Sequence, residues 1–163
     1  EGELDYPTEQ LAELDLVVAS IHNRFGQRGE VLTRRMAAAA ANPWVAVVGH
    51  PTGRLLLGRP PADYDVEAML DAAAVNGCAV ELNSSPHRLD LNQRHLELAR
   101  DRGLLVSIAA DAHSARELAF LDYGVSIARR AGLRPDEVLN CRPLGELMRW
   151  LDRRRQRALA STA

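Results

Sequence analysis

LLVSIAADAHS, residues 104–114, decides the fold. Through Ala110 the stretch is apolar apart from one serine. A run of this kind without alternation reads as a strand covered on both faces, as in parallel sheets. It then stops at Asp111-Ala112-His113, an acid and an imidazole where the strand runs out. Three more runs share its character: DLVVAS (15–20), WVAVVG (44–49) and CAVELN (78–83). Glu81 is the one charged residue inside the last of these.

Helical patterns lie between them. Residues 30–41 are rich in helix formers and end at Asn42-Pro43. Residues 65–76 start on Asp65 as a cap and stop at Gly77; residues 92–102 stop at Gly103. Ser114 is expected to cap a further helix, and residues 144–157 to form the last, with 158–163 as a frayed tail. The order strand, helix, strand, helix predicts an α/β fold with right-handed crossovers. The chain has no sequence repeat and no linker.

In such folds chemistry gathers at the C-terminal ends of the strands. Each run here ends in something polar: Ser20-Ile21-His22, Gly49-His50, Glu81-Leu82-Asn83 and Asp111-Ala112-His113. A single histidine at a strand end is usually an ordinary hydrogen-bonded residue. Three of the five histidines at equivalent positions, with an aspartate, suit Zn²⁺, Mn²⁺ or Fe²⁺. Four ligands nominally make one closed site; Asp-x-His on an irregular turn also suits two adjacent ions. His87, in SSPHRLD, borders the site at most, and His95 reads as a solvated helix residue.

The composition sets bounds. The 163 residues, 47% hydrophobic, suffice for one ordinary domain with a core. No run approaches the ~20 apolar residues of a membrane span, and EGELDYPTEQ has no signal-peptide character. The chain opens on Glu rather than Met, and a longer parent is expected. Cys78 and Cys141 form no CxxC pair and read as reduced packing residues, which fits a cytoplasmic protein. The net charge of −2 makes no global demand for nucleic acid. All 20 basic residues are arginine, which reads as the codon bias of a GC-rich genome. RWLDRRRQR (149–157) reads as a solvated amphipathic helix before it reads as a DNA-binding face.

Taken together, LDYPTEQLAELDLVVASIH (4–22), NPWVAVVGHPTGRLLLGR (42–59), AVELNSSPHRLDLN (79–92), IAADAHS (108–114) and LDYGVSIARRAGL (121–133) with VLN (138–140) carry a resemblance. The chain resembles the C-terminal two-thirds of a PHP (polymerase and histidinol phosphatase) domain, in the branch associated with bacterial family X DNA polymerases. That family folds as a distorted (β/α)7 TIM-like barrel with up to three metal ions, manganese or zinc, at its C-terminal face. The resemblance makes His22 and His50 ligands of one shared ion, Asp111 a ligand of a second and His113 of a third. The family's other ligands (an H-x-H motif, a later Asp or His, a D-H pair and a bridging Glu) precede the segment that matches, and residues 1–21 hold no histidine.

The activity implied is metal-dependent phosphoester hydrolysis: a 3′–5′ exonuclease or phosphatase acting on DNA 3′ ends or on a small phosphoester such as histidinol phosphate. Arg54 and Arg88 are then candidates for phosphate contacts, because a guanidinium fork matches two phosphate oxygens. Surface or structural ion pairs are the plainer reading of both. Asn83 is a candidate for orienting a ligand or water. The rival readings are a non-catalytic, structural module of the same family and an amidohydrolase-type enzyme; DAHS with GHPTGR favours the PHP family over the latter. With half of the ligand set, the 163-residue chain is expected to be inactive by itself. A sheet cut from a barrel leaves open edges and a bare inner face, so a companion is expected: the N-terminal part of the same domain, or a second copy.

Overall fold

The computed structural model describes residues 2–24 and 26–161. Its centre is a parallel sheet of four strands in chain order: β1 (Val18–Ala19), β2 (Val47–Val48), β3 (Ala79–Asn83) and β4 (Val106–Ala109). Each falls inside one of the four apolar runs. Parallel neighbours need a crossover, and each crossover carries a helix: α2 (Gly29–Ala41), α3 (Val66–Asn76) and α4 (Gln93–Asp101). A short α1 (Thr8–Leu11) precedes β1; α5 (Leu121–Arg130) and α6 (Leu144–Ser161) follow β4. The chain is therefore α/β. Among the described residues no helix is long and apolar enough to cross a membrane.

The caps fall where the sequence puts them. The Asp65 carboxylate accepts the Ala68 N–H at 3.1 Å, and the Asn92 side chain accepts the His95 N–H at 2.9 Å. Gly77 closes α3 with φ of 63°, the left-handed geometry glycine tolerates. Ser114 departs from expectation. Its hydroxyl donates to Glu117 at 3.1 Å instead of capping backbone, and the chain turns as a 3-10 helix (Ala115–Phe120) before α5 begins.

Alternation along the strands separates two faces. Val80 lies opposite Val106 and Leu82 opposite Ile108; these pack outward on Leu32, Met36, Met69, Leu70 and Leu96 from α2, α3 and α4. On the other face Val47 and Ala79 meet Leu139 and Leu151, with Leu147 and Trp150 against them. The expected bare inner face is thus covered at its N-terminal end by α6. Arg154 ties that helix down: it is 6% exposed and donates to the carbonyls of Asn76, at 3.0 Å, and Val45. The arginine-rich helix is neither fully solvated nor near the strand C-termini. It also continues past Arg157 to Ser161, into the stretch expected to fray.

Val138 forms a parallel bridge with Val106, and the Asn140 side chain pairs with both backbone groups of Ile108, at 2.7 and 3.0 Å. A fifth strand position thus begins beside β4. At the other edge Val18 is 51% exposed. The cysteines differ from each other: Cys78 is buried, and burial pushes its thiol up to about 12, whereas Cys141 is exposed and is no packing residue.

Candidate functional site

The inner face changes character along the strands. It is apolar where α6 covers it and polar beyond, at Glu81, Asn83 and Ser107. His22 and His50 arrive at this polar end because β1 and β2 stop level with each other, the Gly49 N–H donating to the Ala19 carbonyl at 2.8 Å. Their imidazoles face each other, Nε2 to Nε2 at 3.3 Å.

His50 adopts φ of 26° and Asp111 φ of 53°, in the left-handed region that costs a side-chain-bearing residue energy. Such geometry persists only where the surroundings impose it. At His50 they are visible: the Glu81 carboxylate accepts its backbone N–H, the Gly53 N–H closes a turn onto its carbonyl at 2.8 Å, and Asp90 Oδ2 accepts the Thr52 N–H at 3.0 Å. Burial pushes the His50 imidazole down to about 4, with the Arg88 guanidinium acting the same way. The ring is neutral at pH 7 and keeps a lone pair for a cation.

This donor set fits a divalent ion. Two Zn–N bonds of ~2.0–2.1 Å at the tetrahedral angle set their nitrogens roughly 3.3 Å apart, the separation the two histidines already have. Among the described residues no three His, Cys, Asp or Glu side chains gather closely enough to enclose an ion by themselves. The four histidine and aspartate candidates therefore do not form one closed site.

Asp111 follows β4 at the same polar strand ends, which form the mouth of the candidate site, and is within electrostatic reach of His50. Its burial alone would raise its carboxyl, but hydrogen bonds from Asn83 and Arg88 outweigh that and hold it below the usual carboxylate range. The Arg88 Nε donates to Asp111 Oδ2 at 2.9 Å, and its Nη1 is buried without a partner. His113 stands apart and exposed. Its Nδ1 donates to the Asp111 carbonyl at 2.7 Å, which leaves Nε2 as the acceptor, the arrangement metal-binding histidines favour.

Arg54 is used differently. Its guanidinium donates to the Arg88 carbonyl at 2.6 Å and to the Leu89 carbonyl, binding the loop after β2 to the loop after β3. Asn83 is fully buried and lies beside Glu81, its Nδ2 3.4 Å from the Glu81 carboxylate. His87 is exposed, and His95 is half-buried rather than solvated.

Two carboxylates escaped the sequence reading of the site. Burial pushes Glu81 up to about 7 and Asp90 up to about 6. Glu81 carried a signal, as the one charge in a strand covered on both faces. Asp90 stands inside the stretch 79–92 that carries the resemblance but has no role assigned from sequence, because its partner Thr52 is remote in the chain.

No family model matches the chain. It is 38% identical over 153 residues to "DNA polymerase/3'-5' exonuclease PolX" of Bacillus subtilis (strain 168), which covers 94% of the chain and 27% of that protein. It is 27% identical over 166 residues to a "Probable phosphatase" of Thermoanaerobacter sp. (strain X514), covering 96% of the chain and 65% of the relative. A "Probable phosphatase" of Caldicellulosiruptor saccharolyticus is 30% identical over 129 residues, covering 75% of the chain and 52% of the relative. The chain thus spans about a quarter of the polymerase and less than two thirds of each phosphatase, and its similarity runs to proteins named for cleaving phosphate esters.

Proposed function

We propose that this chain is the C-terminal part of a PHP-type phosphoesterase, a portion of a (β/α)7 TIM-like barrel whose four strands here form one wall. The observation that carries the reading is the pair of facing nitrogens of His22 and His50, 3.3 Å apart, one of them on a buried neutral ring. The names of the similar proteins, an exonuclease and phosphatases, support the same chemistry.

In this reading His22 and His50 hold one Mn²⁺ or Zn²⁺, while Asp111 and His113 serve two others with ligands from elsewhere in the parent protein. Bound ions of this kind polarise phosphate oxygens and lower the pKa of water. The chain's own residues do the rest. Glu81 and Asp90 fix the loop that presents His50. Arg88, with a buried Nη1 to spare, offers a donor to a phosphate oxygen. Asn83 orients Asp111, and Arg54 acts through the backbone of Arg88 and Leu89. DNA 3′ ends are the favoured substrate and small phosphoesters the alternative; the missing barrel strands, or a second copy, are the partners that complete the site.

The test uses the intact parent protein, with a generic phosphodiester and a single-stranded DNA 3′ end as substrates. Hydrolysis should require Mn²⁺ or Zn²⁺, and His22→Ala or His50→Ala should weaken metal binding by at least roughly tenfold in titration calorimetry. Unchanged metal stoichiometry in both variants would remove these ligands from the proposal. No hydrolysis by the intact protein under any metal would favour a non-catalytic module.

A further inference from the structure

An apolar prong stands at the rim of the site. Residues 55–59, LLLGR, form a tight turn closed by Leu55 N–H to the Arg59 carbonyl at 2.9 Å and Arg59 N–H to the Leu55 carbonyl at 2.8 Å. Leu57 is at its tip, fully exposed, with φ of 62°; Leu56 is 41% exposed, and Pro60 and Pro61 are exposed at the base. The prong is braced. The Leu56 N–H donates to the His87 carbonyl at 2.7 Å, and the Arg59 guanidinium donates to the Gly53 carbonyl at 3.0 and 2.7 Å. Its root is Arg54, which grips the Arg88 and Leu89 carbonyls; Arg88 in turn bonds Asp111. One continuous set of hydrogen bonds therefore joins the prong to the loops that carry His50 and Arg88.

Leu56, Leu57, Pro60 and Pro61 form one exposed apolar patch on a rigid turn, and an apolar patch rimmed by polar groups is where a ligand or partner docks. Because the turn is already braced, a ligand that covers them loses little freedom in ordering it. The neighbouring mouth, by the reading above, takes a phosphoester. The ligand that satisfies both has a phosphate and, next to it, a flat apolar group. A nucleotide base is such a group: every base presents an unpolar face, and apolar side chains stack on or wedge between bases without reading their sequence.

We infer that Leu56 and Leu57 form a base-contacting subsite for the nucleotides adjoining the phosphoester at the mouth, and so select single-stranded nucleic-acid ends over small phosphoesters that lack a base. The inference rests on the proposed phosphoesterase reading for where the phosphate lies. It does not need catalysis to be tested.

Leu57→Trp puts a fluorophore at the fully exposed tip without disturbing the core. A single-stranded oligonucleotide added to this variant of the chain should quench its emission, and ribose 5-phosphate should not. In the intact protein, Leu56→Ser/Leu57→Ser should raise KM for an oligonucleotide 3′ end by about tenfold and leave turnover of ribose 5-phosphate unchanged. Quenching without any hydrolysis would keep the subsite and discard the phosphoesterase. Hydrolysis with no quenching, or with equal effects on both substrates, would overturn the subsite and leave the phosphoesterase standing. No oligonucleotide response in either experiment would also overturn it.

Discussion

Asp90 shows at the scale of one residue what holds the mouth together. It is fully buried, one carboxylate oxygen accepts the Thr52 N–H, and the other has no partner. Burial pushes its carboxyl up to about 6 from an ordinary 3.8. With the folded value above the unfolded one, its contribution to stability is full below the unfolded pKa and lost as pH rises through about 6. Asp90→Asn keeps an acceptor for Thr52 and cannot titrate. Urea unfolding of both proteins should show wild type gaining roughly 1 kcal/mol on the variant between pH 7.5 and pH 5. A constant difference would mean that Asp90 is not held as a buried carboxyl. The positions of His22, His50, Asp111 and His113 at strand ends were legible in the sequence. That His22 and His50 meet was implied by the family resemblance and not by their spacing, because Nε2 faces Nε2 only after β1 and β2 pair in register.

Between elements, α5 comes close to β4 at Gly124. A Cβ on Gly124 would lie 2.6 Å from Ile108 Cγ2 and 2.7 Å from Ser84 Cβ. Alanine in a free helix interior gains up to about 1 kcal/mol over glycine, but an overfilled contact costs about 1–3 kcal/mol. The steric cost is the larger, so Gly124→Ala should destabilise the chain by up to about 2 kcal/mol in chemical denaturation. A variant more stable than wild type would show α5 riding free of β4. Helices were the easier elements to read, since Asp65, Gly77 and Asn92 are local signals acting within one turn. Strands came out shorter than their apolar runs. Ala46 and Val47 both donate to the Val17 carbonyl, at 2.9 and 3.2 Å, which interrupts the ladder at the start of β2, and His50 turns the chain at its end.

For the whole molecule, α6 covers the sheet face lined by Val47 and Ala79. Arg154 joins it to the carbonyls of Asn76 and Val45 and lies over the Trp150 ring, 5.5 Å from its centroid. Hydrogen bonds to a buried charged group contribute about 1.5–3 kcal/mol each. Arg154→Met keeps the bulk and loses both donors but also removes the desolvation cost of a buried cation, and should lower stability by a net of about 2–4 kcal/mol in thermal or urea unfolding. Arg153→Met, on the exposed side of the same helix, should stay within about 0.5 kcal/mol. Equal effects of the two would show that α6 is held by its apolar side chains alone.

Read from the chain alone, the amino-acid order determined the α/β alternation, the caps of α3 and α4 and the gathering of polar residues at four strand ends. These follow from local periodicity and from where each apolar run stops. Only the tertiary structure decided that one of five arginines in residues 149–157 is buried, that Arg54 serves backbone rather than solvent, and that Glu81 and Asp90 sit beneath the histidine loop. Each of those depends on a carbonyl or N–H far away in the chain, and pairings across such distances leave no periodic trace in sequence. They are set by which backbone groups folding leaves unpaired and out of reach of water.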